Sequence, residues 1–252
     1  PLPPPKPAEP KPPPPREAAP VDPAPNPPPA PPLPRNSALR PSLFLKSGAK
    51  GDGGTSCFVQ VQPGQLIFLT CLHLFGPATG LPKDILSADL ATQVQAVRVE
   101  AIGDPRILGE ASGSLIKTGY SWQTGLGGDV AAFTVRNNNG VNVLKLAAKD
   151  PEPGEWVWLV GDENDHTPQQ QRLFPLRVLD KRKTEAGFTD FVFRPTRQIK
   201  TTGFSGAPII NAQMEVIAVF GGRLGVHPDG TYDALWGATA SCVREHLERS
   251  KK

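Results

Sequence analysis

From residue 43 onward the apolar positions come in short runs broken by Gly, Pro, Asn and Asp. Residues 56–62 alternate, with Cys57, Val59 and Val61 facing one way and Phe58, Gln60 and Gln62 the other. A period of two marks a half-buried strand. Residues 65–72 form a continuous apolar run, and Pro63-Gly64 lies between the two, so the pair reads as a β-hairpin. The same reading places strands at 93–102, 114–117, 130–135, 155–160, 172–179, 188–194, 208–211, 215–220 and 232–237. Turn signals separate them at Gly127-Gly128, Asn137-Asn138-Asn139-Gly140, Pro153-Gly154 and Pro228-Asp229-Gly230. Many short strands without intervening helices predict an all-β barrel or sandwich. One helix is predicted from about residue 241 to the end, with Val243 and Leu247 on one face and Thr239 or Ser241 as N-cap.

The first 41 residues break this pattern. They hold 20 of the chain's 31 prolines and few apolar side chains, so they cannot bury a core. Proline fixes φ and removes a backbone donor, so runs such as Pro12-Pro13-Pro14-Pro15 favour polyproline II. Residues 1–41 are expected to be a disordered, semi-rigid tail or linker. Residues 42–252 are long enough for a substantial core. No stretch approaches 18 consecutive apolar residues, so no membrane span is expected. The chain opens on proline rather than methionine, which leaves a signal peptide or anchor upstream open.

Charge excludes little. The net charge is +3, and the one dense basic cluster, Lys181-Arg182-Lys183, reads as a solvated turn rather than a nucleic-acid patch. The three cysteines, Cys57, Cys71 and Cys242, are too few for a disulfide framework, and no pair has zinc-ligand spacing with nearby histidines. Cys57 and Cys71 flank the hairpin turn, so a bridge between them and a pair of free buried thiols are both open.

Three places carry chemistry. In Thr202-Gly203-Phe204-Ser205-Gly206-Ala207-Pro208 a serine sits between glycines ahead of an apolar strand. Such a loop lets a nucleophile and a substrate carbonyl approach closely, and the N–H groups of Gly203 and Ser205 can converge as an oxyanion hole. The strand ending Thr70-Cys71-Leu72-His73 delivers an imidazole that can act as general base. Asp129, directly after Gly127-Gly128, is placed to accept a hydrogen bond from that imidazole and fix its tautomer. Each alone also fits a bland reading as a turn serine, a surface or core histidine and a turn aspartate.

Together they run His, Asp, Ser, separated by 56 and 76 residues, in a β-rich chain. This order and these contexts resemble the chymotrypsin-like (trypsin-like) serine peptidase family. Thr70-Cys71-Leu72-His73 is similar to its Thr-Ala-Ala-His segment, and Asp129-Val130-Ala131 to its Asp-Ile/Val-Ala strand start. Gly203-Phe204-Ser205-Gly206-Ala207-Pro208 is similar to its Gly-Asp/Asn-Ser-Gly-Gly-Pro loop, and Gly54-Thr55-Ser56-Cys57-Phe58-Val59 to its Gly-Ser/Thr-Gly-Phe strand. The resemblance implies two antiparallel six-stranded β-barrels, at about 42–140 and 150–252, with the site between them and a C-terminal α-helix. It implies a serine endopeptidase that needs no cofactor or metal, acting on protein or peptide substrates through His73, Asp129 and Ser205.

The departures also carry information. Phe204 stands where zymogen-activated members hold an aspartate that pairs with a new N-terminus, and no Ile-Val-Gly-Gly start is present. Activation by N-terminal insertion is therefore not expected. Ala207 replaces a glycine, and the disulfide beside the family's histidine is not reproduced. The S1 pocket of the family maps to Ile199, Lys200, Thr201, Val219, Phe220, Gly221 and Gly222. Ile199 at its base argues against a basic P1 side chain and for an apolar or small one, while Lys200 or Thr201 would favour an acidic one.

Two other readings compete. The serine loop nearly matches the Gly-x-Ser-x-Gly elbow of α/β-hydrolases, but that motif needs a following helix and downstream partners, whereas Pro208 and a strand follow here. The second is a catalytically inactive binding module on the same fold, whose proline-rich tail recruits partners. A proline-rich stalk before a protease domain suits an extracytoplasmic (periplasmic or secreted) enzyme, and the few cysteines suit a cytoplasmic one.

Overall fold

The hairpin read from the alternation at 56–62 forms as β3 (Cys57–Gln62) and β4 (Gln65–Thr70), antiparallel with Phe58 opposite Phe68. The computed structural model describes residues 26–120, 128–164 and 169–251. Ahead of the hairpin lie β1 (Leu39–Leu45) and β2 (Lys50–Asp52). After it come a short helix α1 (Leu90–Gln93), then β5 (Val94–Ala101), β6 (Asp104–Ser114), β7 (Ala131–Asn138) and β8 (Leu144–Leu146). The second half holds β9 (Trp156–Gly161), β10 (Arg172–Lys183), β11 (Thr189–Pro195), β12 (Pro208–Ile210), β13 (Glu215–Val226) and β14 (Tyr232–Thr239), and ends in helix α2 (Ala240–Arg249).

In the second half the strands run β12-β9-β10-β11-β14-β13, and β13 pairs back onto β12, which closes a six-stranded barrel. In the first half they run β3-β4-β7-β6-β5-β1, with β2 beyond β1, and the β1 and β3 ends meet at one bridge, Leu39 with Ser56. Strand β8 links the halves, lying parallel to both β3 and β13. One core fills the first half, built on Leu43, Phe58, Phe68, Phe75, Val97 and Phe133. The other runs from the outer face of the β3–β4 hairpin, at Ile67 and Leu69, into the barrel at Trp158, Phe191, Ile209 and Val219. The hairpin thus presents one face to each core, which is why the sequence at 65–72 reads as a continuous apolar run. Among the described residues no helix is long and apolar enough to cross a membrane.

The body starts earlier than composition suggests. Leu39 is fully buried at the head of β1, so Leu39, Arg40 and Pro41 belong to the sheet rather than to the tail. The residues just before it are tied down too. Gln171 Oε1 accepts hydrogen bonds from the N–H groups of Ser37 and Ala38, and Gln171 Nε2 donates to the Pro34 carbonyl. Asn36 Nδ2 donates to Gly140 O, and Asn142 Nδ2 to Arg35 O. The part of the expected tail at 1–25 lies outside the described residues.

Of the strand predicted at 114–117 only Ser114 lies in a strand, as the last residue of β6, which begins ten residues sooner at Asp104. Pro105, Gly109, Gly113 and scattered charges hide its period. The pairing also shifts register twice along β5–β6 and twice along β6–β7. The C-terminal helix is capped by Thr239, whose Oγ1 accepts from Cys242 N–H at 3.0 Å. All three cysteines are free and buried, so the hairpin carries no Cys57–Cys71 bridge.

Candidate active site

Strand β4 ends at Thr70, and the chain turns through a single 3-10 turn, Leu72–Leu74, that carries His73. Strand β7 lies antiparallel beside β4, with Thr70 opposite Ala131, so the residues before β7 arrive next to that turn. Gly128 has φ of +70°, a conformation glycine adopts without strain, and it delivers Asp129 inward. Asp129 is 1% exposed and His73 7%. The carboxylate holds the histidine at two points. Oδ1 accepts from the His73 backbone N–H at 2.9 Å, and Oδ2 lies 2.5 Å from ring Nδ1. With Nδ1 engaged by the carboxylate, Nε2 is the ring's other nitrogen, and Cys71 Sγ lies 3.6 Å from it. Burial works against the protonated imidazole, but the Cys71 sulfur and the Asp129 carboxylate outweigh it and raise the His73 pKa above its ordinary value. Burial raises the Cys71 thiol, so the group beside Nε2 is a neutral thiol near pH 7, and the Asp129 carboxylate is the partner that acts there.

Ser205 arrives from the other half, on the loop before β12. The loop is folded by turn bonds from Phe204 N–H to Thr201 O and from Ala207 N–H to Phe204 O. Gly206 N–H donates to Phe220 O, and Phe220 N–H returns to Ala207 O, which locks the loop to β13. Phe204 is fully buried and edge-on to both Phe174 and Phe220, with ring centres 5.3 and 6.4 Å apart. The loop also reaches the first half: Ser205 O accepts from Thr55 N–H at 2.7 Å. Gly206, at φ +85°, lies so close to the end of β4 that a Cβ there would fall 2.0 Å from Thr70 Oγ1 and 3.1 Å from Cys71 N. The serine loop is therefore packed on the residues that lead directly into His73. Gly203, also at positive φ (+88°), precedes Phe204 in the same loop.

The residues mapped to a specificity pocket divide. Ile199, Val219 and Phe220 are buried in the second core rather than lining an open wall. Ile199 N–H donates to Tyr232 Oη at 2.9 Å, and that hydroxyl donates back to Ile199 O. Lys200 is exposed, with its N–H on Glu163 Oε1, and Thr201 and Gly222 are half-buried. The Trp236 indole lies flat against Gly221 and Gly222: a Cβ on Gly221 would meet its ring at 2.3 Å. Beside the His73 turn runs a groove of about 360 Å³ lined by Leu72, Ile85, Leu86, Thr118 and Tyr120. Sequence reasoning missed Trp236, Arg40, Thr55 and Asn164. Only Thr55 carried a signal, as part of the Gly54-Thr55-Ser56 segment.

Cys71, His73 and Asp129 place donor atoms within 4.8 Å of one another. The imidazole lies between the thiol and the carboxylate, with Nδ1 already bonded to Asp129, which fits a hydrogen-bonded relay better than a shared ion.

A β-rich body with one closed barrel, a carboxylate–imidazole pair and a glycine-flanked serine on a loop packed against it defines a trypsin-like serine protease fold. The family model for the trypsin-like peptidase domain matches residues 54–219, and the chain belongs to that family. Among solved structures it is similar to the Rv3671c protease of M. tuberculosis in its active form, with 18% identity and a TM-score of 0.52 over 92% of this chain and 93% of that one. It is also similar to the inactive form of a serine-to-alanine mutant of Rv3671c from M. tuberculosis H37Rv, with 15% identity and a TM-score of 0.54 over 86% and 88%. No curated protein matches the chain.

Proposed function

We propose that the protein is a serine endopeptidase, with Ser205 as nucleophile, His73 as general base and acid, and Asp129 as the group that orients and stabilises the imidazolium. The observation that carries this reading is the double hold of Asp129 on His73, with the Ser205 loop packed on Thr70 and Cys71 immediately upstream. Ser205 Oγ attacks the scissile carbonyl while His73 Nε2 takes its proton. The backbone N–H groups of Gly203 and Ser205 receive the oxyanion. His73 then protonates the leaving amine, and a water activated by the same nitrogen releases the acyl group. The substrates are proteins or peptides, and no metal or organic cofactor takes part. On this reading the first-half strands form the second barrel of the family, and the proline-rich residues ahead of β1 lead into the peptidase unit as a tail that partner proteins can bind. An extracytoplasmic site of action suits a domain carried on such a stalk.

Two features support a small P1 side chain: the burial of Ile199 and the Trp236 indole against the Gly221-Gly222 strand. The test is Ser205→Ala with fluorophosphonate labelling. Hydrolysis of a peptide library falls by at least about 10³-fold in the variant, and the label attaches to the wild type at Ser205 only. Equal activity in both proteins, or no label on the wild type, leaves the inactive binding module as the reading.

A further inference from the structure

Arg40 sits on β1, 163 residues from the serine loop, yet its guanidinium reaches into it. Nη1 donates to Gly203 O at 2.9 Å, to Gly54 O at 3.1 Å and to Thr55 Oγ1 at 3.2 Å. Nη2 donates to Asn164 Oδ1 at 2.6 Å. Two further bonds complete the arrangement: Thr55 Oγ1 donates to Gly203 O at 2.6 Å, and Asn164 Nδ2 donates to Thr202 O at 3.2 Å. The site is tight. A Cβ on Gly203 would come within 2.8 Å of Asn164 Nδ2 and 3.2 Å of Arg40 Nη1. Asp162 is fully buried, neither of its carboxylate oxygens has a hydrogen-bond partner among the described residues, and its charge acts on Arg40.

These bonds fix the two peptide planes that flank Gly203. In a trans peptide the N–H points opposite the C=O. Holding Thr202 O on Asn164 therefore holds Gly203 N–H on the other face, and holding Gly203 O on Arg40 and Thr55 prevents the next plane from turning. Rotation of the Thr202–Gly203 peptide would replace a donor by a carbonyl oxygen, and a glycine at φ +88° has the freedom to allow it. Phe204 anchors the loop by apolar packing, which has no directional hold on either plane.

We propose that Arg40, acting with Thr55 and Asn164, is a positioning residue that holds the Gly203 N–H ready to receive the oxyanion. This rests on the peptidase reading above. It assigns to side chains of β1, of the β2–β3 connection and of the segment after β9 a task that Phe204, having no charge, cannot perform. The fork of the guanidinium is essential, because one head group must reach Gly203 O and Asn164 Oδ1 together, which an ammonium does not reproduce.

The test uses the full chain and compares wild type with Arg40→Gln, Arg40→Lys, Thr55→Val and Thr55→Ser. The readouts are kcat and KM on a peptide substrate and the affinity of a peptide boronate, which mimics the tetrahedral state. Arg40→Gln and Arg40→Lys lower kcat by about 10- to 100-fold, below the loss seen when an oxyanion donor is removed outright, with KM nearly unchanged. Boronate affinity falls by the same factor as kcat/KM. Thr55→Val lowers kcat by a smaller factor, and Thr55→Ser restores it. Should the Arg40 variants fail to fold, the Thr55 pair carries the test, since a residue that only fills space does not distinguish serine from valine in this way. Wild-type kcat in Arg40→Gln, a rise in KM alone, or equal loss in Thr55→Val and Thr55→Ser overturns the assignment. If Ser205→Ala is inactive while these variants keep full kcat, the assignment fails and the peptidase reading stands. If Ser205→Ala matches wild type, both fall.

Discussion

Two buried histidines flank the same short turn, and they have been set in opposite directions. His73 sits on one side, bonded to Asp129 through both its backbone and its ring. His246, on α2, is fully buried on the other side, so close to Gly128 that a Cβ there would meet its Nε2 at 2.4 Å. Its ring stacks on Phe188 with centres 3.9 Å apart, Nδ1 meets Thr118 Oγ1 at 2.9 Å, and Nε2 has no hydrogen-bond partner among the described residues. Burial, with Arg249 nearby, pushes the His246 pKa down to about 4. The same side chain at similar depth is thus kept neutral in one place and made more basic in the other. The difference is the pair of groups at the first ring, the Cys71 sulfur and the Asp129 carboxylate. Burial alone does not make an imidazole a catalyst; it becomes one where a fixed negative charge offsets desolvation.

The sharpest break of this comparison is Asp129→Asn. We expect kcat to fall by about 10⁴-fold, since the amide no longer stabilises the imidazolium or selects the tautomer. The acidic limb of the kcat/KM profile is equally telling. In the wild type activity rises only above the ordinary imidazole range near 6.5, because His73 must lose a proton that Asp129 helps it keep. In the variant the midpoint moves to lower pH. His246→Gln leaves both kcat and that midpoint near wild type.

Stability against pH gives the next largest effect. A depressed histidine contributes stability that is present above about pH 6.5 and lost as pH falls toward 4, about 3 kcal/mol for His246. Asp190, pushed up to about 7 mainly by burial and also by the nearby Asp129, works the other way: its contribution is lost as pH rises from about 3.8 to 7. The wild type therefore shows a shallow profile between pH 4 and 7. Asp190→Asn leaves a profile that rises with pH, and His246→Gln one that falls, in denaturant titrations at fixed pH values.

Gly128→Ala is expected to cost about 1–3 kcal/mol, since it strains a positive φ and presses on the His246 ring. The smallest effect is that of Cys71→Ala. Because burial keeps this thiol neutral, the activity midpoint shifts by much less than in Asp129→Asn.

The three candidate catalytic side chains were legible because each sits where a strand or loop ends, and chemistry demands particular residue types at such places. Arg40 was not, because its role comes from the register of β1 and a contact across 163 residues, and nothing local marks it. The burial of Ile199, 4% exposed, was not legible, because an apolar residue near a nucleophile fits an open pocket wall and a core equally. Strand β6 was largely missed because its glycines and register shifts erase the period of two, while the unbroken apolar run of β4 was plain.

The latch formed by Gln171, Asn36 and Asn142 bears on how the serine loop tolerates motion outside it. A pull along the proline-rich segment loads Gln171 and the Gly140–Asn142 connection before any tension reaches β1. Arg40 lies just downstream of that latch. The guanidinium bonded to Gly203 O is thereby set apart, by these bonds, from displacements of the chain ahead of Pro34.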